Sequence, residues 1–162
     1  MIDAPRRVRP AWAVIVALLL SSCAGTQPAE PPGPPRGVLT ISGNGPTVRV
    51  RVEIAETVEA KQRGLMGRRS LAPDAGMVFL EEEPAVSGFW MKDTLIPLSI
   101  AFWDEEGRIF RILDMEPCLE DSCRTYQPRG PWVGALEVNQ GFFEDHDVEV
   151  GDRVAITRSA SA

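Results

Sequence analysis

Apolar and polar residues alternate most cleanly along Val48-Arg49-Val50-Arg51-Val52-Glu53-Ile54. That is the period of a strand with one face buried. Val38–Ile41 is a shorter candidate, and Gly43-Asn44-Gly45-Pro46 between the two predicts a hairpin. Thr57 reads as the N-cap of a short helix over Val58–Met66, with Glu56 and Glu59 near its positive end and Gly67 after its last turn. Glu59 and Arg63 stand at i,i+4, where an ion pair contributes about 0.2–0.5 kcal/mol. Asp74-Ala75-Gly76 predicts a turn into the run Met77–Leu80, and the acidic loop Glu81-Glu82-Glu83-Pro84 separates that run from Phe89-Trp90-Met91. Leu95–Trp103 is continuously apolar but carries Pro97, which points to an edge or bulged strand. Asp104–Gly107 closes a hairpin onto Arg108–Leu113, and a long loop, Glu116–Pro131, leads to the run Trp132–Val138. Gln140–Asp145 reads as a helical turn, and Val148–Ile156 as a turn and a last strand. The fold class expected is mostly β (β-rich α+β). It is a single small antiparallel, partly closed barrel or sandwich of about eight short strands with one or two short helices.

The N-terminal segment has a different pattern. Arg6, Arg7 and Arg9 precede the apolar run Ala11–Leu20, which is too short for a bilayer core needing about 20 residues but fits a secretory signal. The ending Leu20-Ser21-Ser22-Cys23 resembles a bacterial lipobox, which implies lipidation of Cys23 and cleavage just before it. The alternative is an ordinary secretory signal cut nearby, with Cys23 a passenger. Ala24 follows the cysteine, and by resemblance to lipoproteins of two-membrane bacteria this implies sorting to the outer membrane, facing the periplasm. Pro28, Pro31, Pro32, Pro34 and Pro35 then make a tether, reaching roughly 40 Å at about 3.1 Å per residue of polyproline II. The expected organisation is a signal peptide at 1–22, lipidated Cys23 and tether at 23–37, a folded domain at 38–157 and a disordered tail at 158–162.

Composition narrows the partners. The chain has 162 residues, 44% of them apolar, which excludes disorder throughout and leaves room for one domain. Its net charge of −6 argues against nucleic acid, which needs a basic stripe for phosphates. Removing 1–22 lowers Lys+Arg from 17 to 14 and Asp+Glu from 23 to 22, leaving −8. A chain this acidic is repelled by anionic headgroups, so its membrane partner must be reached through the lipid anchor at Cys23.

Several segments together carry a family resemblance: Arg63-Gly64-Leu65-Met66, Asp74-Ala75-Gly76-Met77, Phe89-Trp90-Met91-Lys92-Asp93-Thr94-Leu95-Ile96-Pro97-Leu98, the Cys118/Cys123 loop and Val150-Gly151-Asp152. Over nearly all of Val48–Ile156 the chain resembles the DUF192 (UPF0127) family. The resemblance supports one domain and assigns no activity. Relatives carry Asn where Asp93 stands and Asp where Ser99 follows Pro97-Leu98, so any chemistry of that acid is in doubt here.

The candidate chemistry is sparse. Cys118 and Cys123, spaced C-x4-C in an exported chain, read as a structural disulfide contributing at most about 2–3 kcal/mol. A redox pair is more often C-x-x-C at a helix N-terminus. Two Cys and His146 do not complete a zinc site, and His146 between two aspartates reads as a solvated turn residue, so neither metal nor cofactor is expected. Met66, Met77, Met91 and Met115 are soft ligands suited to Cu(I), but three of them sit in or beside apolar runs, where Met fills cores. Trp90, Lys92, Asp93 and Arg63 are the candidate ligand-binding residues. A lysine beside an indole and a carboxylate can hold an anionic group, and Arg63 could supply a second contact. The competing assignment makes Trp90 core and Lys92-Asp93 a polar turn. With a single His and no nucleophile–base constellation, no catalytic residue is assigned. The reading is a non-catalytic module for a small anionic ligand or an envelope protein. The alternatives are an envelope-polymer hydrolase or transferase centred on Lys92 and Asp93, and Cu(I) handling through methionines.

Overall fold

A computed structural model describes residues 36–159. The signal peptide, Cys23 and most of the Pro-rich tether lie outside the described residues, as do the last three residues of the tail. Nine strands and two short helices follow in the order β1 (Arg36–Ser42), β2 (Val48–Ala55), α1 (Val58–Arg63), β3 (Ala75–Ala85), β4 (Phe89–Trp90), β5 (Leu98–Trp103), β6 (Ile109–Met115), β7 (Thr125–Tyr126), β8 (Trp132–Asn139), α2 (Phe142–Asp145) and β9 (Arg153–Arg158). Seven strands form one sheet in the order β6-β5-β8-β3-β2-β1-β9, and β4 pairs with β7 in a second, two-stranded sheet. The large sheet curls until its two edges touch. The Ile109 amide donates to the Asp152 carbonyl and the Val154 amide to the Gly107 carbonyl, each at 2.8 Å. The result is a partly closed half-barrel, mostly β as the alternation predicts.

The sheet is antiparallel except at β2–β3, which run parallel. A parallel neighbour needs a crossover, and α1 with the loop after it provides one. Both faces of the central strands are covered, so all six residues of β5 are buried. The inner layer gathers Leu39, Val50, Ile54, Val78, Leu136 and Val138. There Trp103 lies flat over Gly134, where a Cβ would come within 2.1 Å of the indole. The outer layer gathers Leu65, Phe79, Met91, Ile100, Phe102 and Trp132 under α1 and the β4–β7 pair.

Both expected hairpins form, β1–β2 and β5–β6. Leu95–Trp103 is not an edge strand: β5 lies between β6 and β8 and begins at Leu98, one residue after Pro97. The missing N–H therefore falls outside the ladder, where it costs no hydrogen bond. The acidic segment Glu81–Pro84 belongs to β3 rather than to a loop. Helix α1 starts at Thr57 as expected, the Thr57 hydroxyl accepting from the Ala60 amide at 3.1 Å. It stops at Gly64 (φ 47°), three residues early. Lys61, rather than Arg63, makes this helix's ion pair, with Glu81 of β3 at 2.6 Å. The first strand takes in Arg36 and Gly37 and the last reaches Arg158.

Candidate functional site

The outer layer opens to the surface where α1 ends. Phe89 of β4 turns inward against Phe79 (ring centroids 4.9 Å apart), Trp132 (5.4 Å) and Phe102 (5.5 Å). Its neighbour Trp90 therefore faces outward and stays 55% exposed. Beneath Trp90 and the last turn of α1 lies a cavity of about 30 Å³, lined also by Arg63, Phe79, Thr94 and Glu137. That is room for one water molecule or one small head group. A shallower groove of about 190 Å³ adjoins it, sharing Lys61, Phe79, Phe89 and Trp90 and adding Trp132.

Glu137 is the unusual group. It sits in β8 between Met77 of β3 and Ile100 of β5 and is only 4% exposed. Burial alone acts on its carboxyl, pushing its pKa from 4.5 up to about 8, with no hydrogen bond or neighbouring charge to offset the effect. A buried acid without a partner costs several kcal/mol as a carboxylate, so at neutral pH it is held mostly as the neutral acid. Thr94, also 4% exposed, donates weakly to the Lys92 carbonyl at 3.4 Å.

The four residues expected to bind a ligand are divided. Arg63 and Trp90 line the cavity together. Lys92 does not: its ammonium donates to the Glu120 carbonyl at 2.9 Å and pairs with Asp121 at 3.2 Å. Asp93 is exposed and turns the chain at φ 54°. Its amide donates to the Cys118 carbonyl and its carbonyl accepts from the Gly67 amide, both at 2.9 Å. Lys92 and Asp93 thus tie the loop over residues 116–123 to the outer layer. Within that loop the Cys118 and Cys123 sulfurs lie 2.01 Å apart, at disulfide distance.

Met77, Met91 and Met115 are buried in the outer core, and Met66 lines the cavity. The ring of His146 stacks on Phe142 at 4.2 Å and its Nδ1 lies 2.8 Å from the Phe142 carbonyl. Among the described residues no cluster of three or more His, Cys, Asp or Glu is placed to hold a metal ion, and no helix is long and apolar enough to cross a membrane.

The sequence reading passes over Glu137. Its one signal is positional: a lone acid in the apolar run Trp132–Val138, on the same side of the strand as Ala135.

Two solved structures share the fold. A protein of unknown function from Novosphingobium aromaticivorans is 31% identical, with a TM-score of 0.68, covering 73% of this chain and 83% of its own. A Sinorhizobium meliloti protein, provisionally called a transcription regulator, is 33% identical, with a TM-score of 0.69, covering 78% of this chain and 97% of its own. No curated protein matches the chain. The family model described as DUF192, an uncharacterized ACR, matches residues 38–156. With most of the chain inside that match, this protein belongs to the DUF192 family.

Proposed function

We propose that the chain is a lipid-anchored, extracytoplasmic DUF192 domain that binds a small ligand without catalysing its conversion. The Arg-rich start, the ten-residue apolar run and Cys23 support export and acylation, with the outer membrane, facing the periplasm, as destination. The pairing of Cys118 with Cys123 fits an oxidising compartment. Acylation is tested by the mass of the mature protein: the Cys23→Ala variant loses the acyl mass and the membrane fraction, and an unmodified Cys23 in the wild type overturns the anchor.

One observation carries the binding site: a half-exposed tryptophan stands over an unpartnered, buried carboxyl at the foot of an aromatic groove. Aromatic faces take the apolar body of a ligand, and the carboxyl orients a polar head. With Lys92 engaged by Asp121, the site is the group Trp90, Arg63, Thr94 and Glu137 rather than Trp90 with Lys92 and Asp93.

The enzymatic reading draws on the same carboxyl, whose raised pKa suits a general acid. Against it, the cavity contains no second carboxylate, histidine or cysteine. Titrating 2-phenylethanol, a neutral probe of matching size, into the labelled full-length protein tests the site. The indole resonances of Trp90 and Trp132 are expected to shift while that of Trp103 stays, and Trp90→Ala is expected to abolish saturation. Shifts that spread over the surface without saturating overturn it.

A further inference from the structure

The cavity combines a carboxyl, aromatic rings and a helix end, with the cations Lys61 and Arg63 also in its lining. The floor is the Glu137 carboxyl, and Phe79, Phe89 and Trp90 supply ring faces. The remaining wall is the C-terminal turn of α1, where the carbonyls of Lys61 and Gln62 accept no backbone hydrogen bond, as expected at a helix end. With Lys61 drawn off by Glu81, the carboxyl, the rings and the helix end together match a head group that only donates. An ammonium has three donors and no acceptor, and aromatic faces attract it as well.

We infer that the Glu137 cavity receives the ammonium head of an amine-bearing ligand whose apolar body lies along the Trp90 groove. This rests on the groove being a ligand site, as proposed above. The size agrees, since about 30 Å³ accommodates one –NH3+ group and nothing bulkier. The charged neighbours leave the role open to the ligand. Lys61 on α1 is already held by Glu81 of β3, and Arg63 is a cation in the cavity lining. From β3, β4 and β5 only Met77, Phe79, Phe89, Trp90 and Ile100 approach, none of them charged.

Docking has a proton balance. Below about pH 8 the free site carries the neutral acid, so the incoming ammonium displaces one proton to solvent and leaves a carboxylate–ammonium pair. Affinity for an amine must then rise with pH while Glu137 is protonated and level off once it is ionised.

Two isosteric probes, 2-phenylethylammonium and 2-phenylethanol, separate this inference from the one beneath it. By calorimetry on the full-length protein, the dissociation constant of the ammonium probe is expected to fall about tenfold per pH unit from 6 to 8, with one proton released, then to level off. The alcohol is expected to bind without that slope. Glu137→Gln is expected to weaken the ammonium probe at least tenfold at pH 8 and to remove its pH slope. Arg63→Ala, which removes a rim cation, is expected to tighten the ammonium probe alone. Binding of the alcohol with no advantage for the ammonium at pH 8, or an unchanged slope in Glu137→Gln, overturns the ammonium assignment and keeps the groove. Failure of both probes to bind at Trp90 overturns both.

Discussion

Ser99 and Glu137 are both buried polar residues in neighbouring strands of one sheet, yet their surroundings are opposite. Ser99 points to the inner side of β5 with Ala101, where its hydroxyl donates to an Asp114 carboxylate oxygen and accepts from the Gly141 amide at 3.0 Å. The hydroxyl both donates and accepts, and the residue ties β5 to β6 and to the turn before α2. Glu137 points outward with Ala135, is nearly as buried, and burial is the one influence that shifts its carboxyl. A satisfied buried group holds a fold together, whereas an unsatisfied one at a cavity is a cost the fold carries for something outside itself. On the proposed reading the inner layer of this half-barrel is scaffold, and the outer layer holds the candidate site.

The largest effect comes from removing the platform under the site. Phe102→Ala, at a fully buried ring touching both Phe89 and Trp132, is expected to cost about 3–5 kcal/mol in denaturant unfolding. Glu137→Gln comes next and acts in the opposite direction. Because the folded-state pKa is raised, the native state keeps a proton that the unfolded chain releases above pH 4.5. The stability tied to this carboxyl is therefore whole below pH 4.5 and is lost progressively as pH rises to about 8. The glutamine variant lacks that slope, so it should match the wild type near pH 4.5 and exceed it increasingly up to pH 8. Ser99→Ala is expected to cost about 0.5–1.5 kcal/mol with no slope over the same range, since it removes hydrogen bonds to the Gly141 amide and to the exposed Asp114 carboxylate. Equal pH slopes in the serine and glutamine variants would erase the distinction between the two faces. The smallest change is Lys92→Ala. Its partner Asp121 is fully exposed, so about 0.2–1 kcal/mol at most is at stake, and binding of 2-phenylethylammonium should be unchanged.

The layout of strands was legible because the alternation in Val48–Ile54 and the turn residues at Gly43–Pro46 and Asp104–Gly107 are local signals. The parallel β2–β3 pair was not, because nothing local distinguishes a crossover from a hairpin when the helix between is one and a half turns long. Half of the candidate site was legible. Trp90 and Arg63 stand out as an aromatic and a cation in otherwise apolar or helical segments, and the fold brings them together. Lys92 was drawn into the same site by sequence proximity to Trp90, but β4 ends at Trp90 and the chain turns at Asp93, which sends Lys92 toward the Cys118–Cys123 loop. Glu137 stayed hidden because its strand is buried on both faces. Such strands read as continuous apolar runs, with no alternation to flag the one acid that faces a cavity.

The most direct measurement is a pH titration of the Glu137 side-chain carboxyl carbon by NMR in the folded protein. A midpoint near 8 is expected for an acid that burial alone shifts. A midpoint near the ordinary 4.5 would mean that water or a protein donor already satisfies it, and the outer layer would then be scaffold like the inner one.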